Sequence, residues 1–358
     1  MAEAMVIDRP EELLAREAAL RNERGRLRMR DAAAALGVPE AALVEARRAT
    51  GAALRLARPD AREGYGALLA GLPAAGEVMA LTRNESCVIE THGRFDAPEF
   101  QGAMGQVVGE IDLRLFTGRW AHAYLLEEET PAGPRRSLQF FDGAGLAMLK
   151  VYATAATDAA AFRSAADAAS DAGAAPARFE APPTPAAARP DAAIDAAGLR
   201  AAWDGLGHTH EFFGLLRRFD VGRAQAMRLA GPERARPAPR AAMREALSRA
   251  AAGALPVMVF VGNPGCVQIR SGTVERIETM GPWLNVLDPR FNLHLREDRI
   301  AEAFVVRKPS VNGDIHSLEL YDEGGEVIVQ VFGLRRAGER ERADWRALVT
   351  GLGADAPC

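Results

Sequence analysis

The stretch that decides the fold is SLQFFD at residues 137–142, because a near copy, SLELYD, stands at residues 317–322. The offset between the two copies is 180 residues, from 317 minus 137. Other pairs keep that offset or differ from it by one residue, and they are Val151 with Val331, Asn84 with Asn263, and Cys87 with Cys266. This register indicates that one folding unit is duplicated within the chain.

The pattern of apolar residues around those copies predicts a mixed fold. Alternation with a period of two predicts strands, whereas apolar residues three or four positions apart predict helices. The predicted strands lie at residues 77–96, 111–116, 120–129 and 135–153, and the predicted helices at 10–24, 30–50, 157–168 and 239–253. We therefore expect an α+β protein of two similar units, each a large antiparallel sheet flanked by helices.

Between the two copies the composition changes. Residues 175–191, APARFEAPPTPAAARPD, contain mainly Ala and Pro and too few large apolar side chains for a core. We predict an Ala/Pro-rich linker at residues 171–192. The first repeat then covers residues 20–170 and the second covers residues 193–355.

Composition also excludes several classes of function. The formal net charge of −4 over 358 residues argues against a nucleic-acid partner. The sequence has no run of about 18 apolar residues, so an integral membrane protein is not expected. The N-terminal residues lack the apolar run of a signal peptide, and we predict a cytoplasmic protein. The three cysteines are too few for a disulfide framework, and we expect Cys87 and Cys266 to be small buried side chains.

A second informative stretch is GLGHTHEFFGLLRRFD at residues 205–220. Thr209 is the predicted N-cap of a helix, which would place His210 at the first helical position. The predicted apolar face of this helix consists of Phe212, Phe213, Leu216 and Phe219. A helix N-terminus favours a neutral imidazole, and a neutral imidazole beside aromatic rings suits an iron–porphyrin ligand. An ordinary surface histidine remains the alternative.

Several long segments resemble one family. These are MALTRNESCV, IDLRLF, GPRRSLQFFDGAGLAMLKVY, WDGLGHTHEFFGLLRRFDVGRAQAMRLAG, NVLDPRFNLHL and AFVVRKPSVNGDIHSLELYDEGGEVIVQVFGLRRAGE. The chain resembles the hemin-degrading and haem-trafficking factors of the HemS, ChuS, PhuS and HmuS type over roughly residues 20–352. The resemblance implies two α+β repeats and a haem cleft formed mainly by the C-terminal half.

The resemblance also implies the groups on the two faces of the haem. His210 matches the axial ligand of the family, within the element HTHEFF at residues 208–213. His208 stands where the family usually has an acid, so an alternative ligand or a pH-sensitive neighbour stays open there. Arg114, in IDLRLF, matches an arginine that the family places opposite the axial histidine. An arginine there donates hydrogen bonds without coordinating iron, and we expect Arg114 to be catalytic. A solvent-facing strand arginine, or a partner for a nearby acid, is the alternative.

Other site residues follow from the same resemblance. The two haem propionates require cations, and the candidates are Arg223, Lys308 and Arg335. Gln330 and Phe260 resemble pocket residues, and Val329 stands where the family often has Tyr. The remaining histidines have no metal-type spacing and are expected to be structural or exposed, namely His92, His122, His294 and His316.

The resemblance leaves two functions open. In one, the protein is a haem-degrading monooxygenase of iron acquisition, haem is both substrate and cofactor, and an electron donor is required. In the other, it is a carrier that delivers intact haem to a separate haem oxygenase. A haem importer on the cytoplasmic side is an expected partner, and the oligomeric state, monomer or dimer, stays open. A haem-responsive DNA binder is a weaker third possibility.

Overall fold

A computed structural model describes residues 4–25, 27–56, 65–130, 133–171, 173–184, 188–336 and 338–353. In the first half of the chain the helices are α1 (Pro10–Arg24), α2 (Met29–Leu36), α3 (Glu40–Ala49), α4 (Gly66–Ala70) and α5 (Ala159–Asp167). The strands there are β1 (Met5–Val6), β2 (Ala53–Leu56), β3 (Gly76–Arg83), β4 (Cys87–Arg94), β5 (Glu99–Gln101), β6 (Met104–Val107), β7 (Asp112–Phe116), β8 (His122–Thr130), β9 (Gly133–Phe141), β10 (Ala147–Thr157) and β11 (Arg178–Phe179).

The second half continues with α6 (Ala196–Asp204), α7 (Phe212–Phe219), α8 (Arg223–Ala230), α9 (Ala242–Ala252) and α10 (Ala343–Thr350). Its strands are β12 (Ala235–Pro237), β13 (Val257–Asn263), β14 (Cys266–Gly272), β15 (Ile277–Met280), β16 (Trp283–Asp288), β17 (Phe291–Arg296), β18 (Glu302–Lys308), β19 (Ile315–Tyr321) and β20 (Val327–Gly333). No helix in the described part of the chain is long and apolar enough to cross a membrane.

The chain forms two compact units that exchange short segments. The first unit consists of Met1–Arg83, Glu90–Thr184 and Asn263–Gln268. The second unit consists of Asn84–Ile89, Pro185–Gly262 and Ile269–Cys358. The hairpin tip Asn84–Ile89 thus lies in the first half of the sequence but belongs to the second unit. The tip Asn263–Gln268 lies in the second half of the sequence but belongs to the first unit.

The two units contain the same sheets in the same register. The first unit has neighbouring antiparallel strands in the order β3-β10-β9-β8-β2, and the second has β13-β20-β19-β18-β12. Each set is part of a nine-stranded sheet, and we refer to the set as the five-stranded sheet of its unit. Leu138 pairs with Val151 in one sheet, and Leu318 pairs with Val331 in the other. The offset of 180 residues is therefore kept in the backbone pairing, and the predicted α+β duplication is confirmed.

Equivalent asparagines hold the exchanged hairpin tips. The Oδ1 atom of Asn84 accepts hydrogen bonds from the backbone N–H groups of Ser86 and Cys87, at 3.0 and 2.8 Å. The Oδ1 atom of Asn263 accepts in the same way from Gly265 and Cys266, both at 2.9 Å. An Asn side chain that closes its own turn fixes the hairpin geometry. Cys87 and Cys266 are both fully buried, as predicted.

The five-stranded sheet of the second unit has helices on both faces. On one face, Val259, Leu318 and Val331 pack with α9 and α10. On the other face, Phe304 and Tyr321 pack with α6, α7 and α8. Side chains alternate between the faces of a strand, which explains why the two apolar clusters draw on alternate residues.

The structure corrects part of the predicted linker. Ala177 and Phe179 are buried in the core of the first unit, at 0% and 1% exposure. The two-residue strand β11 pairs with β1, with Phe179 opposite Met5. A single large aromatic residue within an Ala/Pro-rich stretch is enough to anchor it when an apolar surface is available. The repeat boundaries predicted from the sequence stay predictions.

His122 is a buried histidine whose protonation should lower the stability of the fold at acid pH. Its side chain is 7% exposed, and neither ring nitrogen has a hydrogen bond of ordinary geometry within the described residues. Burial, together with the nearby charge of Arg55, lowers the pKa of His122 to about 4. The unfolded chain takes up this proton near pH ~6.5, so protonation favours unfolding as the pH falls from there to about 4.

We therefore expect His122→Gln to lose less unfolding free energy than the wild type between pH 7 and pH 4, by up to about 3 kcal/mol. Urea denaturation followed by circular dichroism at each pH measures the difference. His92→Gln is the matched control, because His92 is partly exposed. Parallel pH profiles for the wild type and His122→Gln would contradict the prediction.

Candidate functional site

One face of the second unit's five-stranded sheet holds most of the predicted site residues. Directly opposed residues in an antiparallel sheet lie on the same face. Phe260 is opposite Gln330, Gln330 is opposite Glu319, and Glu319 is opposite Phe304. Phe260 and Gln330 are partly exposed, whereas Glu319 and Phe304 are buried. The sheet face thus has an open part next to a part covered by helices.

The open part is apolar apart from one amide. We call it the open strip, and it consists of Met258, Phe260, Gln330 and Phe332, which are all partly exposed. The rings of Phe260 and Phe332 meet edge to face with centroids 5.2 Å apart. Aromatic faces of this kind bind flat apolar ligands.

A buried charged cluster adjoins the open strip. We call it the Glu319 cluster, and it consists of Glu319, Lys308, Arg223, Ser317 and Tyr321. The Oε1 atom of Glu319 accepts hydrogen bonds from Lys308 Nζ at 2.5 Å and Ser317 Oγ at 2.9 Å. The Oε2 atom accepts from Arg223 Nη2 at 3.0 Å, from Arg223 Nε at 3.1 Å and from the hydroxyl of Tyr321 at 2.6 Å.

The pKa shifts in this cluster follow from burial and charge. Burial alone would raise the pKa of Glu319, but the charges of Arg223 and Lys308 outweigh it and hold that pKa well below its ordinary range. Burial lowers the pKa of Lys308 to about 8, against the attraction of Glu319. At neutral pH the cluster therefore contains two cations and one anion. Its surplus of one positive charge suits an anionic ligand.

The two cations also position the start of helix α7. Lys308 Nζ lies 4.6 Å from the centroid of the Phe212 ring, and the guanidinium carbon of Arg223 lies 5.2 Å from it. Trp203 contacts the same ring edge to face, with centroids 4.7 Å apart. Phe212 is the first residue of α7, so these contacts fix the turn that precedes it.

That preceding turn carries the two histidines. Thr209–Glu211 form a short 3-10 helix whose N-cap is His208, so the prediction of Thr209 as N-cap of an α-helix is wrong. The Glu211 carboxylate accepts hydrogen bonds from the backbone N–H groups of Gly207 at 2.9 Å and His208 at 3.3 Å. This reach back to the cap satisfies amide groups that a helix start leaves unpaired. His208 and His210 are both exposed.

The apolar face of α7 also differs from the prediction. Phe212 and Leu216 are buried as expected, and Leu215 is buried in addition. Phe213 is 63% exposed, and the guanidinium carbon of Arg217 lies 5.0 Å from its ring centroid. Phe212, Leu215 and Leu216 have the i, i+3, i+4 spacing of one helix face, whereas Phe213 lies about 100° around the helix from Phe212.

Two of the three predicted propionate cations have internal partners. Arg223 and Lys308 were expected to face a ligand, but both are bonded to Glu319, and the Lys308 side chain is only 4% exposed. Arg223 is the more accessible of the two, with 26% of its side chain exposed. Arg335 is partly exposed, and its buried Nε atom has no hydrogen-bond partner within the described residues.

Arg114 lies in the first unit, on β7. Its guanidinium donates to the carboxylate of Asp112 and to the carbonyl of Leu113, the latter at 3.1 Å. Burial raises the pKa of Asp112 despite the charge of Arg114. Arg114 therefore has the partner acid that was the alternative to a catalytic role. The role itself stays a prediction.

The other histidines show no sign of a metal site. The ring Nδ1 of His316 lies 2.8 Å from Glu341, and that of His294 lies 2.7 Å from Asn285. Among the described residues no three His, Cys, Asp or Glu side chains are placed to bind a metal ion together.

Sequence reasoning missed Glu319, the acid on which the cluster depends. The signal was present in the duplication, because SLQFF of the first repeat becomes SLELY in the second. Gln139 and Phe141 are thus replaced by Glu319 and Tyr321. An acid and a phenol at buried sheet positions are unusual and indicate a specific partner.

The fold and site define a duplicated α+β protein with an aromatic strip beside a buried cation pair. A sequence model of the haemin-degrading HemS/ChuX domain matches residues 37–168 and 220–352, and the chain belongs to this family. The hemin transport protein HemS of Yersinia enterocolitica is 38% identical over 325 residues, which are 90% of this chain and 92% of that protein.

Two solved structures show the same fold. Holo-PhuS, a heme-binding protein from Pseudomonas aeruginosa, superposes with a TM-score of 0.92 at 44% identity, covering 96% of this chain and 99% of that one. ChuS, the heme degrading enzyme of Escherichia coli O157:H7, superposes with a TM-score of 0.88 at 36% identity, with the same coverage. The predicted family membership is confirmed.

The capping role of Glu211 can be tested directly. We expect Glu211→Ala to raise the amide hydrogen exchange of Gly207 and His208 by about tenfold, because their acceptor is lost. Mass spectrometry of a peptide that covers residues 205–211 measures this exchange. Glu323→Ala, at an exposed position between β19 and β20, is the control. Unchanged exchange in Glu211→Ala would show that the turn does not depend on this carboxylate.

Proposed function

We propose that this protein binds haem on the open strip of the second unit and degrades it oxidatively to release iron. The observation that carries the proposal is the conjunction, on one sheet face and its flanking turn, of aromatic side chains, a surplus buried positive charge and an exposed histidine. These three features match the three parts of haem, namely an apolar macrocycle, anionic propionates and an iron that takes an imidazole ligand. The names of holo-PhuS and ChuS support the same ligand.

His210 is the proposed axial ligand. It stands on a turn that Glu211 and Phe212 hold in place, and its imidazole is exposed. His208 is exposed on the same turn and is the alternative ligand. Arg223 is the proposed first contact for a propionate, with Lys308 behind it and Arg335 as a further candidate. Phe260 and Gln330 would line the porphyrin.

Haem itself supplies the oxidative chemistry once it is reduced and exposed to dioxygen. The protein's own residues then have three tasks. His210 holds the iron, the Glu319 cluster and the open strip orient the macrocycle, and Arg114 donates hydrogen bonds during ring opening. We place this activity in the cytoplasm, downstream of a haem importer, with a separate electron donor.

A carrier function is the alternative, and one observation favours it. His208 and His210 are both exposed on a single short turn, and an exchangeable ligand pair suits transfer of intact haem to a haem oxygenase. Both functions require the same binding site, so binding data alone do not separate them.

The ligand assignment predicts distinct outcomes for the two histidines. His210→Ala should weaken hemin binding by about tenfold or more, the size of one ~1.4 kcal/mol interaction, and should shift the Soret band. His208→Ala should leave the Soret band of the bound haem nearly unchanged. Hemin titration followed by absorbance measures both properties. The reverse pattern would assign the ligand to His208.

An aerobic turnover assay separates degradation from transport. The protein with one equivalent of hemin receives a reductant and catalase, and the Soret band, free iron and organic product are followed together. Degradation predicts loss of the Soret band and a linear tetrapyrrole in the presence of catalase. Haem that survives, or that decays only without catalase, would support the carrier function.

In the same assay Arg114→Ala should bind hemin normally but degrade it roughly 100-fold more slowly, because a transition-state hydrogen-bond donor is lost. Arg119→Ala, an exposed arginine in the turn after β7, is the control. Equal turnover rates for Arg114→Ala and the wild type would remove Arg114 from the mechanism.

A further inference from the structure

The second unit contains a buried acid to which the proposed function assigns no contact with the ligand. Glu319 is 0% exposed, and both of its carboxylate oxygens are engaged by the other members of its cluster. A carboxylate with every acceptor position occupied is not a proton donor or a ligand for an incoming group. Its action must therefore pass through the cations that it holds.

The hydrogen bonds of Arg223 show what this action is. Its Nε and Nη2 atoms both donate to Glu319 Oε2, at 3.1 and 3.0 Å. The described residues provide no hydrogen-bond partner for its Nη1 atom, and Arg223 is the more exposed cation of the cluster. A guanidinium held through two of its nitrogens presents the third in a fixed direction.

Lys308 is held in a different way. Its ammonium group lies between the Glu319 carboxylate, at 2.5 Å from Nζ to Oε1, and the face of Phe212. Burial favours the neutral amine, and the charge of Glu319 opposes this effect. Glu319 thus maintains a positive charge at a position where burial would otherwise remove it.

The duplication offers an internal comparison. In the first unit the position of Glu319 is taken by Gln139, whose Nε2 atom donates to Ser137 Oγ at 2.9 Å. The position of Lys308 is taken by Glu128, which pairs with Arg135. The first unit therefore has the same sheet and the same serine, but it lacks an acid and a cation at these two positions, and its buried ion pair on this face joins Lys150 to Glu40. The arrangement of the Glu319 cluster is therefore specific to the second unit.

We propose that Glu319 is a positioning residue, which orients Arg223 and keeps Lys308 charged so that the open strip prefers ligands with a carboxylate at this end. The inference rests on the proposed haem function, because it takes the carboxylates to be the haem propionates. It assigns the preference for free propionates to one acid that does not touch the ligand.

The test compares hemin with hemin dimethyl ester, in which both propionates are neutral. The measured quantity is the ratio of the Kd for the ester to the Kd for hemin, taken at pH 7 by absorbance titration. We expect the wild-type protein to prefer hemin by about tenfold or more, since hydrogen bonds to charged groups contribute on this scale. Glu319→Gln, which copies the first unit, should reduce this ratio to near one.

Two further variants keep the test decisive. Tyr321→Phe copies Phe141 of the first unit and leaves every charge in place, but it removes the hydroxyl that donates to Glu319 at 2.6 Å and accepts from Arg223 Nε at 3.4 Å. We expect a smaller, several-fold loss of preference. Glu302→Gln has the same charge change as Glu319→Gln, but Glu302 pairs with Arg228 outside the cluster. This control should keep the wild-type ratio.

The possible outcomes are distinguishable. A purely structural role for Glu319 would weaken both ligands equally and leave the ratio unchanged, which overturns the inference. An increased ratio in Glu319→Gln would also overturn it, because Glu319 would then merely screen the cations. A wild-type protein that binds neither compound would instead overturn the proposed haem function. If Glu319→Gln does not fold, the ratio measured with Tyr321→Phe decides.

Discussion

The second unit depends on one buried carboxylate that holds two cations. Glu319 is fully buried between Lys308 and Arg223, and burying three charges is tolerable only when each is paired and hydrogen-bonded. The serine and tyrosine of the cluster provide the remaining hydrogen bonds. Both cations also lie against the ring of Phe212, the first residue of α7, so the cluster helps to hold the start of that helix. The turn that carries His208 and His210 directly precedes Phe212, so the Glu319 cluster also helps to position that turn.

This arrangement explains how a duplicated fold acquires one specialised half. Both units have the same five-stranded sheet, the same register and the same asparagine-capped hairpins. The apolar positions that form the sheet are retained in both, because backbone pairing and core packing require them. The polar positions on one face are free to differ: the second unit has Glu319 with Lys308 and Arg223 there, whereas the first unit has Gln139 and a separate Lys150–Glu40 ion pair. Folding and ligand recognition thus use alternate residues of the same strands.

Degradation and transport make the same demands on this site. Each requires an apolar surface, a charged end and an accessible ligand for iron, and the second unit contains all three. The functions differ in what must happen after binding, for which Arg114 and the pair of His208 and His210 are the proposed contributors. The relatives include both a heme-binding protein and a heme degrading enzyme, and the turnover assay distinguishes the two functions in this protein.

The sequence by itself determined the duplication, the succession of strands and helices along each repeat and the histidine stretch, because apolar periodicity and repeated segments can be read directly from the sequence. It also indicated Arg223, Lys308, Gln330 and Phe260, although only through the family resemblance. Tertiary structure decided the rest. Arg223 and Glu319 share a cluster only after the sheet and helices have packed. No local pattern in the sequence predicts an ion pair between residues so far apart in the chain.

The same reason accounts for the errors. Phe179 lies in a stretch without periodicity, yet it is buried because β1 and the helices of the first unit provide a surface for it. Phe213 is an apolar residue of a helix, yet it is exposed because the face of α7 that packs against the sheet and helices consists of Phe212, Leu215 and Leu216. The sequence specifies which side chains can be buried, whereas packing between distant segments decides which of them are.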